Sequence, residues 1–388
     1  MKETNIKGYI LPLIVIAQFC CTSLWFAGNS IIENLVSNFG ISLNSMGILT
    51  SSVQLGFIIG TLSFAALTIA DRFSPSKVFL TCAIVAALFN FGILWSGNTL
   101  ITLLLFRFGT GFFLAGIYPV GMKIAADYFN KGLGKSLGYL VGALVLGTAF
   151  PHALKSLGVS FNWEYIILTT STLAIIGGFI VGFIVPNGPY RQTGQRLKLT
   201  AFFSVFKDLK FNKAAFGYFG HMWELYAFWA FVPFIISAFN ETQTNELHIY
   251  RWSFLVISIG SLGCVLTGYI SKQIGTKKVA FITLLVSGIC CGLSPILFHL
   301  PAYIFIPFLL LWGFVVIADS PVFSTMVAQN AIPNLKGSAL TIVNCIGFSI
   351  SIISIQLLAF LSEIVQPQYL FLILILGPIF GLFSLRNN

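Results

Sequence analysis

Twelve apolar runs, near residues 9–32, 46–70, 77–96, 100–126, 136–157, 164–185, 214–238, 252–271, 279–299, 302–328, 337–361 and 368–385, take up almost the whole chain. Each approaches or exceeds the roughly 20 residues an α-helix needs to cross a bilayer. Lipid offers backbone N–H and C=O groups no partner, so a crossing segment must satisfy them internally. The runs are too long and too continuously apolar for the alternating pattern of a transmembrane barrel. An all-α membrane protein of twelve transmembrane helices follows. Only 8% of the residues are charged, against about 25% in an ordinary soluble domain, which excludes a water-soluble enzyme. The spans consume so much of the 388 residues that no separate soluble domain fits.

The net charge of +10 comes from short basic clusters between the runs, not from one basic face, and so speaks for membrane topology and against nucleic acid. With the N-terminus in the cytoplasm, 17 of the 21 Lys and Arg residues lie inside, only Lys155 and Arg251 lie outside, and Arg107 and Lys123 fall within the fourth span. The positive-inside rule then places both termini in the cytoplasm. Residues 8–32 run too long for a signal peptide and read as a retained first span. The longest loop, 186–213, carries Arg191, Arg196, Lys198, Lys207, Lys210 and Lys213 against Asp208. It divides the chain into a six-helix bundle at 1–185, a cytoplasmic linker at 186–213 and a second six-helix bundle at 214–388. Within it, Leu199 to Leu209 has the basic and aromatic pattern of a helix lying on an anionic leaflet. All seven cysteines fall inside apolar runs without a disulfide or metal spacing, which makes packing their expected role.

The two halves echo one another at an offset of about 202 residues. Gly111 is followed by Pro119 in the fourth run, and Gly313 by Pro321 in the tenth. The loop Asp71-Arg72-Phe73-Ser74-Pro75-Ser76-Lys77 answers the stretch Gly268 to Lys278, and Gly134-Lys-Ser-Leu137 answers Gly337-Ser-Ala-Leu340. Two parallel six-helix repeats imply a cleft between them near the membrane midplane. On these residues the sequence resembles the major facilitator superfamily of secondary transporters. That family's loop motif is partly kept as Asp71, Arg72 and Lys77, and its second copy as Gly268, Gly275, Lys277 and Lys278. The span-four motif is present as Arg107 and Gly111. Gly138, Gly142 and Gly147 match the fifth span, with Ala143 in place of the proline typical of drug antiporters. The resemblance implies alternating access, with the Asp71 loop latching an outward-open state by meeting the start of span eleven near Lys336.

Ionisable groups within a membrane are costly and so mark function. Glu224 and His221 lie one turn apart in the seventh run and form the first candidate for proton coupling; Asp319, just before Pro321, and Arg107 are the others. Arg107 also suits an anionic substrate, whereas Lys123 is expected to snorkel to the interface. A stripe of Gln18, Thr22, Trp25 and Asn29 is expected to line the cleft opposite His221 and Glu224, together with Tyr118 and Asn344. Asn344 is also a candidate partner for Asp319. Gly56 and Gly60 with Ser52, and Gly138 and Gly142 with Gly134, form smooth faces for helix packing. No metal or cofactor motif is present in the sequence. The expectation is a monomeric carrier in a bacterial cytoplasmic membrane that moves a small polar solute, with a lean to an organic or inorganic anion, and is coupled to protons. A passive facilitator and a drug or metabolite efflux pump are the alternatives on the same fold. An intramembrane enzyme fits less well, because the four histidines do not cluster and no nucleophile motif is present.

Overall fold

Because every apolar run must close its own backbone hydrogen bonds in lipid, each becomes a helix. The computed structural model describes residues 8–42, 45–129, 133–158, 162–191, 205–243, 246–332 and 335–386. Lys131, Arg196, Lys198 and the 199–204 part of the amphipathic stretch lie outside the described residues. Among the described residues the regular structure is helical throughout. Eleven helices among the described residues are long and apolar enough to span a membrane: α2 (Ser45–Ala66), α3 (Pro75–Leu94), α4 (Leu100–Tyr128), α5 (Gly134–Lys155), α6 (Trp163–Ile184), α7 (Leu209–Asn240), α8 (Ile249–Ile274), α9 (Thr276–Leu297), α10 (Ala302–Asn330), α11 (Lys336–Leu361) and α12 (Pro367–Arg386). The first run forms α1 (Ile10–Thr22), which breaks and resumes as the short helices Ala27–Ser30 and Ile32–Phe39.

The repeat is visible in the packing. α2 lies against α4 in the first six helices, and α8 lies against α10 in the last six. A side chain on Gly111 of α4 would overlap the Val53 carbonyl of α2, and one on Gly313 of α10 would overlap the Val256 carbonyl of α8. These are corresponding positions in the two repeats, so the same close backbone approach holds both helix pairs. α4 and α10 also break at matching places: each resumes on a proline-bearing turn, α4 at Tyr118 and α10 at Ser320.

Contacts between the first six helices and the last six run mainly through α5 with α8 and α2 with α11. Since the spans alternate in direction, Ile10 and Arg386 lie at one end of the molecule, called here the terminal end. At the opposite end α2 and α11 are joined: Gln356 donates to Ser51 Oγ at 2.7 Å, and Ser351 donates to Gln54 Oε1 at 3.1 Å. Below these bonds the Phe57 and Phe348 rings meet with centroids 4.7 Å apart. At the terminal end the same helices line a cavity of about 630 Å³, walled by α2, α4, α5, α10 and α11.

Candidate functional site

The cavity narrows towards the midplane into a recess of about 30 Å³, with which it shares Met122, Ser324 and Asn344. The recess is walled by Tyr118, Tyr218, Tyr226 and Phe348, and Ser320 adds a hydroxyl. Among the described residues no protein hydrogen bond engages the three tyrosine hydroxyls, the Ser320 and Ser324 hydroxyls or the Asn344 amide. Six hydrogen-bonding groups converging on one space suit a ligand that hydrogen-bonds. No charged residue lines this recess. Charge appears only nearer the terminal end, where Asp71, Lys123 and Lys336 line the wider cavity.

Tyr118 and Asn344 thus stand where a cleft-lining role required. The α1 stripe is placed differently. Gln18 is wholly buried against Gly121 of α4, with its amide unpartnered. Thr22 donates to the Gln18 carbonyl at 2.8 Å and Asn29 donates to Thr50 Oγ1 at 2.7 Å, so both are held within the first six helices. Trp25 alone reaches across: its ring lies 5.8 Å from Tyr226 and 5.7 Å from Phe348, closing the recess on the side away from the terminal end.

His221 and Glu224, expected as a pair, turn to different neighbours. His221 Nδ1 lies 2.8 Å from Asp319 Oδ1, with both side chains 1% exposed. Glu224 Oε1 accepts three hydrogen bonds: from Ser287 Oγ at 2.6 Å and Cys291 Sγ at 3.2 Å, both on α9, and from Trp312 Nε1 at 2.7 Å on α10. One helical turn separates the two residues along α7, but the lateral step aims one at the break in α10 and the other between α9 and α10. Asp319 accordingly pairs with His221 and not with Asn344.

Arg107 is 1% exposed and lies apart from the cavity. It donates to the Leu24 carbonyl at 3.0 Å, to the Trp25 carbonyl and, at 3.3 Å, to Asn90 Oδ1. Those carbonyls are freed where α1 breaks, so the guanidinium serves backbone acceptors that the helix no longer satisfies. A substrate anion would have to displace these bonds to reach it.

Asp71 is bound to Lys123 at 2.9 Å, not to the start of α11, and Lys123 also approaches Asp127 at 3.7 Å. Lys123 is therefore an ion-pair partner, not a snorkelling side chain. No ion pair joins Asp71 to Lys336; both line the open cavity, whose width takes the place of the expected contact. Arg72 is exposed, and Lys77 sits over the Phe183 ring at 4.5 Å. In the second copy Gly275 ends α8 at φ 90°, Gly268 faces Gly134 of α5, and Lys277 and Lys278 are exposed. Gly56 and Gly60 meet the α4 backbone closely. Gly138 and Gly142 face the Cys264 and Ser261 carbonyls of α8, which an added side-chain carbon would approach to 3.2 Å, tighter than an ordinary contact.

Several site residues carry no signal strong enough to single them out in sequence: Tyr218, Tyr226, Ser320, Ser324, Phe348, Trp312, Ser287 and Cys291. Two weak signals exist. Ser320 is the repeat counterpart of Tyr118 at the offset of 202, and Tyr218, Met222 and Tyr226 recur every four residues on one face of α7.

The sequence model of the family described as Major Facilitator Superfamily matches residues 14–355. A Bacillus subtilis (strain 168) protein described as a candidate niacin/nicotinamide transporter, NiaP, is 32% identical over 112 residues. That stretch is 29% of this chain and 28% of the relative, so the match spans under a third of the relative's length. Among solved structures, the proton:xylose symporter XylE bound to 6-bromo-6-deoxy-D-glucose superposes with a TM-score of 0.76 at 13% identity, covering 96% of this chain and 94% of that one. A bacterial homolog of the human lysosomal transporter Spinster, inward-facing and unoccupied, superposes with a TM-score of 0.69 at 13% identity over 97% and 95%.

Proposed function

Because the chain belongs to the Major Facilitator Superfamily, we propose that it is a proton-coupled carrier of a small, ring-bearing organic acid or its amide, of the size of a pyridine carboxylate. The observation that carries this reading is the uncharged recess of Tyr118, Tyr218, Tyr226 and Phe348 with its unpaired hydroxyls and amide. Aromatic walls stack on a flat ring, and the hydroxyls and Asn344 bond its heteroatoms. Lys336 lines the approach from the terminal end, where Lys123 is already paired with Asp71, and supplies the cation for a carboxylate in place of Arg107. The partial similarity to NiaP points the same way.

In this reading residues 1–185 and 214–388 rock as two units about the recess, linked by 186–213, in a bacterial cytoplasmic membrane with both termini inside. The cavity at the terminal end then faces the cytoplasm, and the Asp71 loop meets α11 only in the opposite, outward-open state. Proton coupling falls to the His221–Asp319 pair, with Glu224 beside it. A protein monomer suffices, since the repeats supply both walls.

The test is uptake of radiolabelled nicotinate and nicotinamide into proteoliposomes with and without an inward proton gradient. Uptake of either should rise several-fold with the gradient. His221→Gln and Asp319→Asn should abolish accumulation while sparing exchange. Transport of neither compound overturns the substrate class, and accumulation persisting in both variants overturns the assignment of coupling to this pair. Export of the same compounds, the efflux reading, would appear as gradient-driven accumulation inside inside-out vesicles.

A further inference from the structure

On α7 the recess and the buried ion pair meet at one residue. Tyr218 lines the recess, is 5% exposed, and its hydroxyl has no protein partner. Its ring centroid lies 5.9 Å from the His221 imidazole, one helical turn on. His221 Nδ1 faces Asp319 Oδ1 at 2.8 Å, whereas Nε2 is buried and unpartnered. Two polar atoms on adjacent rings are therefore both unpaired in a low-dielectric interior, where an unpaired group is costly. On one side the tyrosine ring packs closely against α11. Gly347 of α11 is bare opposite it, and a side-chain carbon there would stand 2.6 Å from Tyr218 Cε1.

We propose that Tyr218 is a positioning residue that ties substrate binding to the protonation state of His221. This rests on the coupling role given above to the His221–Asp319 pair. The two atoms are not bonded to each other in this structure; when the bond forms, with His221 neutral and its proton on Nδ1, Nε2 is the acceptor and the Tyr218 hydroxyl donates to it. The phenol then has no proton to offer the recess. When His221 gains a proton at Nε2, that N–H donates to the phenol oxygen, and the phenol O–H turns to donate into the recess. A substrate acceptor, such as a carboxylate or amide oxygen, then finds a donor that was absent before. One added proton thus strengthens substrate binding, and bound substrate strengthens proton binding by the same factor.

The other groups around this chain do not duplicate it. From α10, Asp319 faces His221 and Phe323 packs 6.2 Å from the imidazole. Cys264 of α8 lies near Asp319, Cys345 of α11 and Tyr118 of α4 lie near Tyr218, and Glu224 of α7 lies near Asp319. Of these, only Asp319 pairs with the imidazole, and it takes the other ring nitrogen.

Two measurements decide the matter. The first needs no ligand: ¹⁵N NMR of histidine-labelled protein, with the His221 signal assigned by its loss in His221→Gln. Tyr218→Phe keeps the ring and removes only the hydroxyl. It should move the neutral His221 Nε2 resonance by several parts per million and leave the His248 and His299 signals in place. An unmoved Nε2 signal overturns the proposal. The second is nicotinate binding to purified protein across the His221 titration. Wild-type affinity should fall by up to tenfold per pH unit as pH rises, the limit for one linked proton. In Tyr218→Phe it should vary less than twofold, and a wild-type slope retained in that variant overturns the proposal. Absence of nicotinate binding to wild-type protein tells against the substrate class alone, because the resonance still answers for Tyr218.

Discussion

Single atoms decide what each buried group can do. A charged or titratable residue in an apolar run is visible in sequence, and Glu224, His221, Asp319 and Arg107 are indeed all buried. Their partners are not visible, because a partner is set by the rotation of neighbouring helices far away in the chain. His221 and Glu224 illustrate this: three residues apart, they bond to Asp319 on α10 and to Ser287, Cys291 and Trp312 on α9 and α10. Glycines are legible for the opposite reason, since a missing side chain means the same thing in any context. Gly111→Ala and Gly313→Ala each drive a carbon into a backbone carbonyl and should each lower unfolding stability by about 1–3 kcal/mol. Gly134→Ala, with nothing within 4 Å, should cost nothing measurable. Thermal melts of the three variants check this, and equal melting for all would refute the close approach.

Helices as elements were readable from run length and hydropathy, and the runs at 46–70 through 368–385 correspond to α2–α12. Breaks inside them were harder to see. Pro119 and Pro321 announced the turns in α4 and α10, but no proline or glycine pair marks the interruption of α1 after Thr22. What sustains that interruption lies 80 residues away: Arg107 takes the Leu24 and Trp25 carbonyls, and Asn90, which accepts from Arg107, donates in turn to Ser171 at 2.9 Å. Arg107 thereby sets the position of Trp25 over the recess. Arg107→Met should raise amide hydrogen exchange across residues 23–29 at least tenfold, about 1.4 kcal/mol of local stability. Unchanged exchange there would show that the break holds without the guanidinium.

At the scale of the whole molecule, the offset repeat was legible because both copies keep the same glycines and prolines. The state of the cavity was not, because open and closed arrangements share one sequence. The Ser51–Gln356 and Gln54–Ser351 bonds, with the Trp25, Phe57, Tyr226 and Phe348 rings beneath them, hold one end shut. Joining Ser51→Cys to Gln356→Cys with a short reducible bifunctional thiol reagent should cut nicotinate flux at least tenfold, and reductant should restore it. The native cysteines are all buried and offer little competition. Flux that survives the link would mean that this end need not open. The glycine contacts also set where the molecule can yield. Within each half, α2 with α4 and α8 with α10 approach so closely that a carbon on Gly111 or Gly313 would overlap a backbone carbonyl, whereas a carbon on Gly138 or Gly142 would stand 3.2 Å from an α8 carbonyl, a tight contact but the wider approach. The seam between the repeats is therefore the wider of the two kinds of approach, and in the proposed rocking it would shift before either half repacks. On that reading a change of bilayer thickness or lateral pressure would act first at that seam, while the closer contacts inside each half stay as they are.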